Sequence, residues 1–143
     1  MKLPAVYLTP HIAPARGAVG RYDPKSDRIF FSTEIYFGLD DDTKRYAILH
    51  EIAHWFREKN IRKSLLAKGW SLSENGIEED FADMFALFFI NRKSCKSEYP
   101  AHHDFLSSHI DAITFVKVSD FSLEVFEKLQ EKGECKEVRC FVV

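Results

Sequence analysis

Cysteine is scarce in this chain, and its cysteines are poorly spaced for bonding to each other or to a metal. Cys95, Cys135 and Cys140 are an odd number and form no CxxC pair. This pattern argues against both a disulfide framework and a zinc site built from thiolates. We interpret all three as ordinary reduced thiols, which fit a reducing cytoplasm best.

The chain also lacks an excess of charge of either sign and a long hydrophobic run. Its 20 basic and 22 acidic residues nearly cancel and are interspersed, so no basic stripe favours binding to nucleic acid. The apolar run from Ala5 to Leu8 is too short for a signal-peptide core or a membrane span. We therefore expect a cytoplasmic protein that has neither nucleic acid nor a membrane as its partner.

The apolar content of the chain is sufficient for one hydrophobic core. Its 143 residues are 45% hydrophobic and include 13 phenylalanines, which predicts a single domain over residues 1–143. Runs of β-forming residues and helical patterns together indicate an α+β fold. The predicted elements are a strand at Ala5–Leu8, a hairpin of Ala18–Tyr22 and Arg28–Ser32, a loop at Arg92–Lys96, helices at Thr43–Asn60, Ile77–Asn91, Ala101–Ile113 and Ser122–Lys132, and a strand that could follow Gly133.

The two long helices in the middle of the chain are the elements with the clearest signals. Asp41 or Asp42 can cap the helix that begins at about Thr43, because an aspartate side chain accepts hydrogen bonds from the first free backbone N–H groups. In the next helix, aromatic and apolar residues recur at helical spacing and predict a wide buried face. These residues are Phe81, Met84, Phe85 and Phe88.

The first of these helices contains the segment His50-Glu51-Ile52-Ala53-His54. Two histidines four residues apart lie on one face of a helix, one turn above the other, so two imidazoles can reach one ion. Zinc suits them, because it binds neutral imidazole and forms catalytic sites with three protein ligands and one water, whose pKa it lowers to about 7. Glu51 lies beside that open position and can serve as the general base.

Chance is the simplest alternative explanation of this motif. With 6 histidines, a chain of this composition would contain the five-residue pattern by accident in roughly a few per cent of cases. Its placement favours the metal site, because two imidazoles without partners would be costly among apolar neighbours such as Ile48, Leu49 and Trp55.

The second long helix offers a third ligand. Glu79 and Asp83 share one face of it, so Glu79 can bind the ion while Asp83 accepts the free ring N–H of a liganding histidine, which we expect to be His50. Taken alone, these acids would more often form a solvated helix face. The apolar stripe on the same helix must pack on something, however, and the helix with the two histidines is the obvious partner.

Together these motifs resemble the zinc peptidases called gluzincins, in which a downstream glutamate completes the HExxH site. The resemblance is sharpest toward the anthrax lethal factor type. The second motif of that type is matched here by Glu79, Ala82, Asp83 and Phe85. Beyond it, the type has a proline and a short aromatic helix, to which Pro100 and the pair Phe105-Leu106 are similar. It covers roughly residues 18–110. It implies a zincin-like fold, in which a small sheet packs on the metal-bearing helix, and Zn²⁺ as the cofactor.

The resemblance also implies how a substrate binds and which family residue is absent from this chain. In such peptidases an extended substrate lies on the edge strand just before the metal helix, a place that Arg28–Ser32 would occupy. The lethal factor type has a tyrosine, thought to steady the oxyanion, seven residues before its glutamate ligand, and this chain has Leu72 there. The departure favours a zincin-fold binding or regulatory module as the alternative to an enzyme.

The remaining histidines are weaker candidates. One of His102, His103 and His109, or Tyr99, could approach the metal and stabilise the reacting carbonyl, but a surface histidine on an amphipathic helix is the more frequent case. His11 is more often a loop residue than a ligand. The sequence therefore predicts a zinc-dependent endopeptidase acting on a protein or peptide substrate. A further alternative is the catalytic domain of a toxin or effector.

Overall fold

A tight turn between two strands starts the sheet. The structure, a computed structural model, describes residues 2–10, 12, 17–61, 77–132 and 139–141. Strands β2 (Gly20–Asp23) and β3 (Arg28–Ser32) pair antiparallel. Between them, Ser26 Oγ donates to Oδ2 of Asp23 at 2.6 Å, and Asp27 adopts a left-handed φ of 56°, a conformation that short polar residues tolerate in turns. The predicted hairpin is confirmed.

The sheet contains two further strands in its described part. Strand β1 (Ala5–Thr9) pairs parallel with β3, and β4 (Arg139–Phe141) pairs antiparallel with β1. The order is β2-β3-β1-β4. The expectation that Arg28–Ser32 is an edge strand is therefore wrong. Ile29 and Phe31 are fully buried and Arg21 is exposed, so the apolar strand takes the interior and β2 takes the edge.

Helix α1 (Thr33–Tyr36) is a single turn after β3, and α2 (Asp41–Phe56) follows it and continues as a π-helical turn at Arg57–Ile61. The cap of α2 is Asp40, whose Oδ1 accepts the N–H of Thr43 at 2.8 Å. The predicted cap at Asp41 or Asp42 is thus wrong by one or two positions. Both acids instead lie in the first turn, where negative charge favours the helix.

Helix α3 (Ile77–Ile90) packs along α2. Phe81, Phe85 and Phe88 are buried, and the ring centroid of Phe85 lies 5.6 Å from that of Phe56 on α2. The burial of these three phenylalanines confirms the buried face predicted for α3, and Trp55 of α2 is also buried. Burying a side chain such as phenylalanine contributes about 1.5–3 kcal/mol, so this aromatic contact holds the two helices together.

The C-terminal part of the chain contains more helix than the sequence suggests. Helices α4 (Arg92–Glu98), α5 (Pro100–His109) and α6 (Ala112–Lys132) follow one another closely. The predicted loop at Arg92–Lys96 is wrong, because Asn91 caps α4 by accepting the N–H of Ser94 at 3.1 Å. Helix α6 starts well before Ser122 because Asp111 caps it, accepting the N–H of Thr114 at 2.7 Å.

One cluster of buried apolar side chains joins the sheet to α2, α3, α5 and α6. Val6 and Leu8 supply its sheet side, while Ile52 and Phe85 supply its helical side. The described residues therefore form an α+β fold in which α2 lies between the sheet and α3. Among the helices that the structure describes, none is both long and apolar enough to cross a membrane.

Candidate metal centre and cleft

Helix α2 places two imidazoles on the same face. His50 and His54 stand one turn apart, with ring centroids separated by 4.9 Å and Nε2 atoms by 3.2 Å. Their side chains are 17% and 18% exposed, so both rings open onto solvent at one edge. The i, i+4 spacing is sufficient to explain this convergence, since it stacks two side chains on adjacent turns.

Helix α3 brings a carboxylate to the same point. Oε2 of Glu79 lies 3.0 Å from Nε2 of His50, and Oε1 lies 3.1 Å from Nε2 of His54. One ligand atom from each of the three residues lies within 4.8 Å of the others. The structure therefore brings together His50, His54 and Glu79, the three residues that the sequence nominates as ligands. Their binding of a metal stays a prediction.

The charges at this point stabilise one another. Hydrogen bonds from His50 and His54 hold the pKa of Glu79 far below its usual range. Burial favours neutral His50, but the hydrogen bond to Glu79 and the charges of Glu51, Glu79 and Asp83 outweigh it and raise the pKa of this imidazole. The group is a cation-attracting arrangement, in which two rings and three carboxylates lie around one opening.

Asp83 lies one turn beyond Glu79 and contacts the other nitrogen of His50. Nδ1 of His50 donates to Oδ1 of Asp83 over 3.1 Å, and the hydroxyl of Tyr46 donates to the same oxygen. The ring is thus held at Nδ1 by one carboxylate, while Nε2 faces Glu79. This is the contact that the sequence predicts for Asp83. Nothing in the sequence alone assigns this contact to Tyr46, although its position four residues before His50 places it on the same helix face.

Glu51 lies between α2 and the edge strand, and it is only 7% exposed. Its carboxylate accepts a backbone hydrogen bond from Tyr22 of β2, while its Oε2 has no hydrogen-bond partner among the described residues. Burial raises the pKa of Glu51, and the imidazoles of His54 and His50 oppose that rise. A buried carboxylate oxygen without a protein partner is costly, so Oε2 can accept a hydrogen bond from water or from a ligand in the cleft.

Gly20 leaves the space that the side chain of Glu51 occupies beside the edge strand. A Cβ atom at residue 20 would lie 2.9 Å from Cγ of Glu51 and 2.8 Å from Cε1 of Phe31. Both distances are shorter than packed carbon atoms tolerate, so only glycine lets the edge strand approach the carboxylate this closely. No sequence signal marks Gly20, because the contact depends on how the strand and the helix pack.

The three nominated ligands and Glu51 open into a cleft of about 520 Å³ between α2, α3 and β2. The cleft is polar, and the edge strand forms one of its walls. Its lining residues are Gly20, Arg21, Tyr22, Pro24, His50, Glu51, His54, Arg57, Glu58 and Glu79. A cleft of this size fits a short stretch of extended peptide.

His102, His103 and His109 are not among the residues that line this cleft. His102 and His103 are buried, so the expectation of surface histidines is wrong for both. The ring of His103 packs on Phe88 at 5.7 Å and accepts a long hydrogen bond of 3.4 Å from Nε of Arg92. His109 stacks on Phe105 at 4.0 Å. The expectation fails because α5 turns these histidines inward against α3, which its own sequence pattern does not reveal.

Three further sequence predictions concern residues outside the metal helices. Cys95 is a free, buried thiol whose pKa is raised by burial, in agreement with its interpretation as an ordinary reduced cysteine. Leu72, at the position of the tyrosine in the lethal factor type, lies outside the described residues, as do His11 and Cys135.

Comparison with protein families, curated proteins and solved structures finds no match for this chain. A proposal about its function therefore depends on the chemistry of the residues gathered at the cleft.

Proposed function

We propose that this chain is a zinc-dependent peptidase with a zincin-like fold, in which His50, His54 and Glu79 bind the metal and Glu51 is the general base. The observation that carries the proposal is the convergence of two imidazoles and a carboxylate beside a buried glutamate with an unpartnered oxygen. Its expected cofactor is Zn²⁺ and its expected substrate is a protein or peptide.

The donor set fits zinc. Two imidazole nitrogens and one carboxylate are a common set of three protein ligands at catalytic zinc sites, which keep a further position for water or substrate. The contact of His50 with Asp83 adds the carboxylate partner that zinc-binding histidines usually have. Bound zinc supplies a Lewis acid that makes water nucleophilic near neutral pH and polarises the carbonyl of a peptide bond.

Glu51 supplies the proton transfer in this proposal. Its Oε2 is available to accept a proton from the attacking water, and the same carboxyl group can then protonate the leaving nitrogen. Burial raises the pKa of Glu51, which makes its carboxylate a stronger base. The hydrogen bond from the backbone of Tyr22 holds the carboxylate beside the edge strand.

The substrate would bind as an additional strand on β2. This strand is an edge of the sheet in its described part and forms a wall of the cleft. An extended peptide can pair with the outward-facing backbone groups of such an edge, while its side chains enter neighbouring pockets. Arg21 and Arg57 line the cleft with Glu58, so polar or charged side chains of the substrate are the ones that these walls can recognise.

The proposal is tested by zinc analysis and by digestion of a peptide library. We expect about one zinc per chain and cleavage that a chelator abolishes. Glu51→Gln should retain zinc while the cleavage rate falls about 100- to 10,000-fold, because an amide cannot accept the proton. The control is Glu34→Gln, since Glu34 is an exposed carboxylate on α1 and its loss should change neither quantity.

Each alternative gives a different result in the same experiment. Stoichiometric zinc without cleavage by the wild-type protein would favour the binding or regulatory module. Undiminished cleavage by Glu51→Gln would assign the base to another residue. A wild-type protein that holds no zinc would contradict the proposal.

A further inference from the structure

Tyr46 is connected to the proposed metal centre through a carboxylate. Its hydroxyl donates to Oδ1 of Asp83, and the same oxygen accepts the Nδ1–H of His50 at 3.1 Å. Tyr46 and His50 stand one turn apart on α2, with ring centroids 6.1 Å apart. Two side chains of one helix therefore share a single oxygen of a residue from the facing helix.

The side chain of Asp83 is exposed, so a second hydrogen-bond donor is needed to hold its carboxylate in place. Its side chain is 44% exposed, whereas that of His50 is 17% exposed. A carboxylate with that much access to water can rotate and exchange its protein partner for solvent. The hydroxyl of the half-buried Tyr46 offers a second donor that fixes Oδ1 on the side of His50.

The tautomer of His50 follows from this contact. A carboxylate at Nδ1 keeps a proton on that nitrogen, so Nε2 is the nitrogen that loses its proton and offers a lone pair when a metal binds. Nε2 is the atom that lies 3.0 Å from Glu79 and 3.2 Å from Nε2 of His54. The contact with Asp83 and Tyr46 thus occupies Nδ1 and leaves Nε2 as the nitrogen that can bind the proposed metal.

We propose that Tyr46 is a positioning residue which, by holding Oδ1 of Asp83, fixes His50 as the tautomer that can bind zinc through Nε2. The inference rests on the proposed function for the identity of the ligands. The new element is a role for Tyr46, a residue that contacts neither the ligand atoms nor the general base.

The test compares two tyrosine hydroxyls. Tyr46→Phe should weaken zinc binding about 5- to 10-fold in a chelator competition, somewhat less than the 10- to 100-fold typical of a direct partner of a zinc-binding histidine. The control is Tyr36→Phe. Tyr36 is fully buried, and its hydroxyl has no hydrogen-bond partner among the described residues. This variant should bind zinc as tightly as the wild type.

A double-variant cycle separates positioning from simple destabilisation. If Tyr46 acts through Asp83, then Tyr46→Phe should have less than about a 2-fold effect on zinc affinity in an Asp83→Ala background, because coupled residues are not additive. Equal effects of Tyr46→Phe in both backgrounds would overturn the inference. So would an unchanged affinity of the single variant.

The tautomer itself provides a spectroscopic readout. Long-range ¹H–¹⁵N NMR spectra of the zinc-loaded wild type should show His50 protonated at Nδ1, and in zinc-loaded Tyr46→Phe that proton should exchange faster with water, because Asp83 is held less firmly. Equal exchange rates in the two proteins would overturn the inference. A wild type that binds no zinc contradicts the proposed function. A wild type that binds zinc equally well with and without the Tyr46 hydroxyl contradicts the inference alone.

Discussion

Two regions of this molecule carry histidine pairs, and they use imidazole in different ways. His50 and His54 point the same nitrogen at one another and at Glu79, beside a cleft. His102 and His103 are neighbours in sequence, yet both are buried away from the cleft, where the ring of His103 packs on Phe88. The spacing of two histidines on a helix decides whether their rings meet at one point. Residues i and i+4 share a helix face, whereas residues i and i+1 do not.

The two regions also differ in how their charges are compensated. Around His50 the carboxylates outweigh burial and raise the pKa of the ring, whereas around His102 burial dominates over the charge of Asp80 and lowers it. The acids around His50 favour positive charge at this point, which either a proton or a metal ion can supply. An imidazole held in an apolar environment is kept neutral and contributes to packing.

The largest expected effect distinguishes the two pairs by metal content. His54→Ala should reduce zinc from about one per chain to nearly none after dialysis, because only two protein ligands would be left. His103→Gln should keep its zinc, although loss of the contact with Phe88 will lower stability. Metal analysis of folded, purified variants measures both. The comparison fails if His54→Ala retains its zinc or if His103→Gln loses it.

A smaller effect is expected from a residue that only shapes the cleft. In Gly20→Ala the added methyl group must displace Glu51 or Phe31, and misplacing a catalytic group by about 1 Å can slow a reaction about 100-fold. Zinc content should stay unchanged, since Gly20 does not contact the ligands. Gly38→Ala is the control, because its Cβ would meet nothing closer than 3.6 Å. Equal cleavage rates for both variants would show that Glu51 needs no such space.

The smallest expected effect concerns the stability of the metal-free protein at different pH values. The raised pKa of His50 contributes stability that is fully present below the unfolded value of about 6.5 and is lost as the pH rises through the folded value. The lowered pKa of His102 contributes stability that is present above about 6.5 and is lost as the pH falls through the folded value. The two histidines therefore act in opposite directions.

Urea unfolding of the metal-free wild type, His50→Gln and His102→Gln at pH 5.5 and pH 8 measures this difference. When the pH is lowered from 8 to 5.5, the free energy of unfolding of His50→Gln should rise less, or fall more, than that of the wild type. The free energy of unfolding of His102→Gln should fall less, or rise more, than that of the wild type. A shift of the same sign in both variants would mean that the two environments do not differ as described.

Much of the local structure was predictable from the sequence, because the signals lie within a few residues of each other. The hairpin follows from the turn at Asp23–Asp27, and α2 and α3 follow from capping acids and from the apolar period. Even there, the sequence does not distinguish Asp40 as the cap, since three consecutive aspartates offer the same chemistry. The pairing of α2 with α3 followed from the aromatic stripe.

Features that depend on distant parts of the chain were not predictable in this way. The interior position of Arg28–Ser32 requires β1 to pair with it from more than twenty residues away. Helix α4 carries one buried residue, Cys95, so it shows no apolar period. Ile113 and Val116 are 68% and 54% exposed on α6, which obscures the true start of that helix. Gly20 contacts Glu51 only when β2 packs on α2, and Tyr46 contacts Asp83 only when α2 packs on α3.

The central claim is that one ion binds between α2 and α3, and anomalous X-ray diffraction at the zinc edge from crystals grown with zinc tests it most directly. The account predicts one strong peak between Nε2 of His50, Nε2 of His54 and the carboxylate of Glu79, with Asp83 still at Nδ1 of His50. A map without a peak at this position, or with its strongest peak elsewhere on the chain, would contradict it.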